Sequence, residues 1–193
     1  MRLKQTLTAL AVAAAAAGAA APASAAADYS VLFQGVTFEF DILDADSMTL
    51  TMLGTDAASG NWSGITKLNA FQLKDVGSFA SATVTGPGGF VNVGKELNGN
   101  GCAGGRGGAL RLCFAGATAV APALSWTIDV TGGNWAIPAS GPHLKARFGN
   151  DGANQVGSLL STSVPVVPEP GTYALMLAGL AAVGYVARRR RSA

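Results

Sequence analysis

Apolar and polar residues alternate with a period of two along much of this chain, and that period predicts strands rather than helices. Val36, Phe38, Phe40 and Ile42 alternate with Thr37, Glu39 and Asp41, and Met48, Leu50 and Met52 alternate with Thr49 and Thr51. Leu110, Leu112 and Phe114 are interleaved with Arg111 and Cys113. The cleanest run sets Leu124, Trp126, Ile128 and Val130 against Ser125, Thr127 and Asp129, and the last sets Leu144, Ala146 and Phe148 against His143, Lys145 and Arg147. Weaker strands are expected at 67–73, 78–85, 90–93 and 155–160. Turn formers lie between the runs, notably Gly86-Pro87-Gly88-Gly89, Thr131-Gly132-Gly133-Asn134 and Gly149-Asn150-Asp151-Gly152. About eight to ten short strands with one polar face each predict an all-β fold, an antiparallel β-sandwich with a jelly roll as the leading sub-type. The Gly149–Gly152 turn is expected to join the Leu144 strand to the Gln155 strand. No internal repeat points to a propeller or solenoid.

The two ends break this pattern. Residues 1–27 read as a secretory signal peptide and a signal helix. Arg2 and Lys4 form a positive start, Leu7 to Ala21 an alanine-rich core, and Ala23-Ser24-Ala25 and Ala25-Ala26-Ala27 two small-x-small sites. Cleavage before Asp28 leaves a polar mature start, and cleavage after Ala25 is the close alternative. This implies the Sec translocon and signal peptidase as partners. Arg2 and Lys4 are not adjacent, which disfavours a twin-arginine route. A retained N-terminal anchor is the competing reading.

At the other end, Val167-Pro168-Glu169-Pro170-Gly171 precedes an uncharged run, Thr172 to Ala187, and then Arg188-Arg189-Arg190-Arg191. The prolines keep the backbone around Glu169 extended. The run predicts a transmembrane helix over 172–187, and the arginines hold its far end in the cytoplasm. Sixteen residues at about 1.5 Å each span about 24 Å, short of a hydrocarbon core of about 30 Å. In order and spacing the tail resembles the PEP-CTERM sorting signal of exopolysaccharide-producing Gram-negative bacteria. Pro168, Glu169 and Pro170 fall on the motif, and Arg188, Arg189, Arg190 and Arg191 on the basic cluster. The resemblance implies processing by an exosortase, a membrane-embedded cysteine protease-transpeptidase. It also implies transient anchoring in the inner membrane, then delivery to the cell surface or extracellular matrix. An ordinary single-pass anchor is the alternative. The resemblance says nothing of the fold upstream. Pro142 to Phe148, continued through Val156 to Leu160, looks like the last hairpin of some PEP-CTERM proteins of unknown function. The organisation expected is a signal peptide at 1–27, an exported sandwich at 28–163 and the sorting segment at 164–193. Residues 161–167 are read as an extended spacer.

Charge changes the picture once the ends are set aside. Between Asp28 and Val167 there are seven basic and ten acidic side chains, so the mature domain is at −3 although the whole chain is at +2. No basic stripe survives to bind nucleic acid.

Cys102 and Cys113 are the two cysteines. In an oxidising setting they most simply form one disulfide, with free thiols as the rival. Gly99-Asn100-Gly101-Cys102-Ala103-Gly104 matches G-x-G-x-x-G in form only, since no helix or βαβ unit follows, and is read as a flexible loop stapled at Cys102. Asp41, Asp44 and Asp46 crowd one turn and are candidate Ca²⁺ ligands, against a plain polar turn. Trp62 and Trp135, each beside Gly and Asn, are candidates for stacking on sugar rings, against capping the core edge. Trp126 reads as core. His143, the only histidine, reads as a surface residue, and no G-x-S-x-G elbow is present. These features predict no catalytic residues, no cofactor beyond Ca²⁺, and a structural or interaction protein of the cell surface or exopolysaccharide matrix. A carbohydrate- or Ca²⁺-binding module is the alternative, and a secreted hydrolase ranks third.

Overall fold

In the computed structural model the described residues are 27–105, 112–150, 159–168, 176–181, 183 and 188. Twelve strands occur among them: β1 (Tyr29–Phe33), β2 (Val36–Ile42), β3 (Ser47–Leu53), β4 (Lys67–Lys74), β5 (Ser81–Thr85), β6 (Val91–Asn92), β7 (Glu96–Asn98), β8 (Gly101–Gly104), β9 (Leu112–Ala119), β10 (Ala123–Thr131), β11 (His143–Gly149) and β12 (Leu160–Ser163). One five-stranded sheet has the order β1-β2-β3-β10-β5, a second has β12-β11-β4-β9-β6, and β7-β8 is a separate hairpin. All pairings are antiparallel. The two sheets share one core, so the fold is an all-β sandwich. Its sheets hold five strands each, not the four of an eight-stranded jelly roll.

The expected alternation is realised where it was cleanest. Val36, Phe38 and Phe40 on β2, Met48, Leu50 and Met52 on β3, and Leu124, Trp126, Ile128 and Val130 on β10 are all buried, with their polar neighbours outside. β4 read weakly because its period is broken. A bulge at Asn69 shifts the register between Leu68 and Ala70, so Leu68 and Phe71, three apart, both enter the core. The first strand, β1, did not stand out in the pattern because Leu32 lies exposed on its outer side and blurs the alternation of Tyr29, Val31 and Phe33. A two-residue turn joins β1 to β2 through Gln34 (φ 48°) and Gly35 (φ 82°), the paired positive φ of a type I′ hairpin.

Two corrections concern turns and aromatics. The partner of β11 is β12 at Leu160–Ser163, later than the expected 155–160, so the Gly149–Gly152 turn is not a tight hairpin. Residues 151–158 lie outside the described residues. Trp62 is fully buried, not a loop tryptophan open to sugar. It ends the single 3₁₀ turn Gly60–Trp62, and its N–H donates to Ser59 O at 3.1 Å and to Gln34 Oε1 at 2.9 Å. Its ring meets Phe33 and Phe38 of the first sheet at 5.1 and 6.0 Å and Phe148 of the second at 4.7 Å. A second aromatic group, Phe71, Phe90, Phe114 and Trp126, spans the sheets further along, with Trp126 Nε1 donating to Pro87 O.

The compact unit runs from Ala27 to Pro168. The expected signal helix over 1–27 lies outside the described residues except for Ala27. Of the expected helix over 172–187, residues 176–181 and 183 are described and helical, as is Arg188. Among the described residues no helix is long and apolar enough to cross a membrane.

Burial makes a specific statement about Trp62. Trp62→Ala is expected to destabilise the unit by about 3–5 kcal/mol, measured by urea unfolding, whereas an exposed sugar-binding tryptophan would change stability little.

Candidate functional site

The unit ends where it begins. Asp28 Oδ2 accepts from the Ile42 N–H at 2.8 Å, extending the β1–β2 ladder by one side-chain bond. On the opposite edge of β1, Ser30 N–H donates to Pro165 O (3.0 Å), Val167 N–H donates to Asp28 O (2.9 Å), and Tyr29 bridges Val166. Val164 is fully buried and donates its N–H to Pro142 O at 2.9 Å. Gly141 (φ 81°) lies so close beneath that a Cβ there would collide with the Val164 carbonyl. Residues 161–167, expected as a spacer, are therefore part of the fold through Val167. Pro168 is exposed at its end. Glu169, Pro170, Arg189, Arg190 and Arg191 lie outside the described residues, and Arg188 is exposed.

The two broad faces of the sandwich differ chemically. No strand of the first sheet carries a lysine or arginine. Its solvent side sets Glu39 beside Thr51, Asp41 beside Thr49, Thr49 beside Thr127, Thr127 beside Thr85 and Asp129 beside Thr83. These neighbours are cross-linked: Thr51 Oγ1 and Ser125 Oγ lie 3.1 Å apart, Ser81 Oγ and Thr131 Oγ1 2.6 Å apart, and Ser47 Oγ donates to Asp129 Oδ1 at 2.6 Å. The sequence carries Thr49-x-Thr51 and Thr83-x-Thr85 openly, but only the register turns them into one hydroxyl surface. The second sheet carries Lys67, Lys74, Lys145 and Arg147, and its strands hold no carboxylate.

The β7–β8 hairpin covers part of that second sheet and is more ordered than the flexible loop expected there. Cys102 on β8 is disulfide-bonded to Cys113 on β9, with 5.8 Å between the Cα atoms. Ala70, Leu97 and Cys113 are buried together beneath it, with Cys102 and Leu159 packed alongside. Gln72, buried on the outer side of β4, accepts from Leu97 N–H at 2.9 Å and donates to Lys95 O at 3.4 Å. Glu96 takes Lys145 Nζ at 2.9 Å and Lys74 Nζ at 3.5 Å. Spacing alone gave the pairing of Cys102 with Cys113 but not the layer that it fastens.

The acidic turn is built for itself. Asp44 Oδ1 accepts the N–H groups of Asp46 (3.1 Å) and Ser47 (2.7 Å), and Leu43 N–H donates to Ser47 O. The Asp46 backbone N–H, first among these bonds, holds the Asp44 carboxyl below its ordinary range, while its hydrogen bond with Asp44 and that group's charge push Asp46 up. Asp41 faces Thr49 instead. Asp41, Asp44 and Asp46 are not brought together as ligands, and among the described residues no group of three or more His, Cys, Asp or Glu is placed to hold a metal ion. Trp135 lies against this turn, with its N–H on Ala45 O at 3.0 Å, and is half-buried with its ring edge-on to Phe79 at 4.9 Å. Its indole Nε1 is buried and meets no hydrogen-bond partner among the described residues.

His143 stands on the solvent side of β11 with Lys145, as expected, and its Nε2 lies 2.9 Å from Ser161 Oγ. Burial, reinforced by the nearby charges of Lys74 and Lys145 and opposed by Asp75, lowers its pKa below 6.5. The pair has the atoms of a nucleophile and base, yet it stands on a strand face with ammonium groups on either side.

The family model for the PEP-CTERM protein-sorting motif matches residues 166–191. No curated protein and no solved structure matches the chain. The match begins at Val166, inside the fold, and covers the tail.

Two measurements follow from this geometry. Replacing Cys102 and Cys113 together by Ala is expected to lower stability by about 3 kcal/mol on the chain-entropy model for a loop of this size, read from urea unfolding with and without reductant. Because the folded state holds His143 at a lowered pKa, folding disfavours its protonation, so stability is full above 6.5 and declines as pH falls below that value. His143→Gln is expected to remove that part of the pH slope in melting temperature. An unchanged slope would locate it elsewhere.

Proposed function

We propose, for a chain that carries this sorting motif, export through the Sec pathway, transient anchoring in the inner membrane of a Gram-negative cell, and release by an exosortase. The sandwich then serves a structural or interaction role at the cell surface or in an exopolysaccharide matrix, without catalysing a reaction. The observation that carries this reading is the motif match at 166–191. It is supported by the disulfide, which suits an oxidising compartment. The cross-linked Ser, Thr and Asp side chains of the first sheet, on strands without Lys or Arg, suit contact with hydroxyl-rich, uncharged polymers more than with polyanions. Deleting the host's exosortase is expected to leave a longer, membrane-held form, while normal cells yield a shorter form in the surface or matrix fraction. The same size and location in both cells would sink the proposal.

A second reading is a carbohydrate- or Ca²⁺-binding module. It now rests on one juxtaposition, the half-buried Trp135 against the Asp44–Asp46 turn. A glycan array and a calcium titration on residues 27–168 test it. Binding that is lost in Trp135→Ala supports the module, and no signal in either assay removes it.

A further inference from the structure

We infer that the clasp between residues 28–30 and 164–167 withholds that stretch from the protease, so that the cut falls at Pro168 or later and the strap stays with the mature protein. This rests on the exosortase reading above and names the place of the cut within it. A protease draws several residues on each side of the scissile bond into an extended, accessible chain. Upstream of the motif that chain is already committed. Ser30 N–H holds Pro165 O, Asp28 O holds Val167 N–H, Tyr29 bridges Val166, and Val164 is sealed between Pro142 and the Cβ-less Gly141. Val164 is thus buried and the backbone of 165–167 is paired, although the Pro165 and Val166 side chains face solvent, and Pro168 is the first residue past the clasp. The mature N-terminal segment thereby acts as a positioning element for processing at the other end of the chain. In the reaction itself one peptide C–N bond breaks. The acyl carbon of the retained segment passes to the enzyme's cysteine sulfur and then to water or an amine acceptor, and the released tail leaves as an amine.

Ser30 offers a clean perturbation. Its N–H faces the strap, while its neighbours Tyr29 and Val31 carry the pairing with β2, so Ser30→Pro removes one strap bond from an edge where proline is tolerated. Losing a bond of this kind is expected to raise the open population of the strap about fivefold. The full chain is produced in cells with a working exosortase, and the C-terminal peptide of the cleaved form is identified by mass spectrometry. The wild type is expected to give a C-terminus at Pro168 or later. Ser30→Pro, still disulfide-bonded and cooperatively unfolding, is expected to add products that end within 164–167. A wild-type C-terminus at or before Val167 overturns the inference and leaves the sorting proposal standing. A folded Ser30→Pro with the wild-type C-terminus and the wild-type cleavage rate removes the positioning role. No cleaved product at all in the wild type would overturn both.

Discussion

The sandwich depends on one buried ring. Trp62 lies outside both sheets in sequence, at the end of a single 3₁₀ turn, yet it is where they meet: Phe33 and Phe38 on one side, Phe148 on the other. Burial of so large a side chain removes apolar area on the scale that dominates a small domain's stability. Its position also recruits the hairpin turn, since Gln34 Oε1 accepts the Trp62 N–H and Gln34 O accepts the Ser59 N–H. Gln34, which takes up a positive φ where β1 closes onto β2, is thus also the residue that seats the tryptophan. Edge strand, turn and core are one cooperative piece.

With the core settled by aromatics, the two outer faces are left to differ. One keeps carboxylates and hydroxyls bonded to each other across strands. The other carries the sheet's cations, and the disulfide fastens the β7–β8 hairpin upon it. Gln72 shows why that hairpin is a layer and not a loop. A buried amide without partners would cost about 1–3 kcal/mol, and the hairpin backbone supplies both partners through Leu97 and Lys95. Glu96 likewise stands over Lys74 and Lys145 and gives both ammonium groups one shared carboxylate.

The strands with unbroken alternation, β2, β3, β10 and β11, were legible from sequence because burial on one face is all that places them. β1 and β4 were less so, since an exposed Leu32 and a bulge at Asn69 interrupt a period that only neighbouring strands restore. The β7–β8 hairpin gave no pattern at all. Its strands are only three and four residues long, too short to show a period, and it is defined by Gln72 and Cys113, which belong to other strands. For Trp62 the core-capping alternative is the one realised, although the Gly and Asn around it look like a loop tip. Local composition reports the turn but not what the turn buries. The tail was legible because a peptide read by an enzyme must be encoded contiguously, whereas the hydroxyl face is distributed over four strands and exists only in register. Asp129 belongs to the acidic turn's surroundings through Ser47, and no spacing rule could have joined them.

The same distinction explains the strap. Pro165 and Pro168 argue for an extended chain, and extended it is, but extension is also the geometry of a strand. What decides between spacer and strand is a partner with free edge groups, and β1 is the first strand of the sheet, with β2 on only one side. Such an edge invites pairing. Covering it with the last residues of the same domain protects it and spends no additional chain. It also joins residues from opposite ends of the unit, a contact of very high sequence separation that can be held only once the strands between them are in place. The strap at 164–167 is therefore held only by a completed fold.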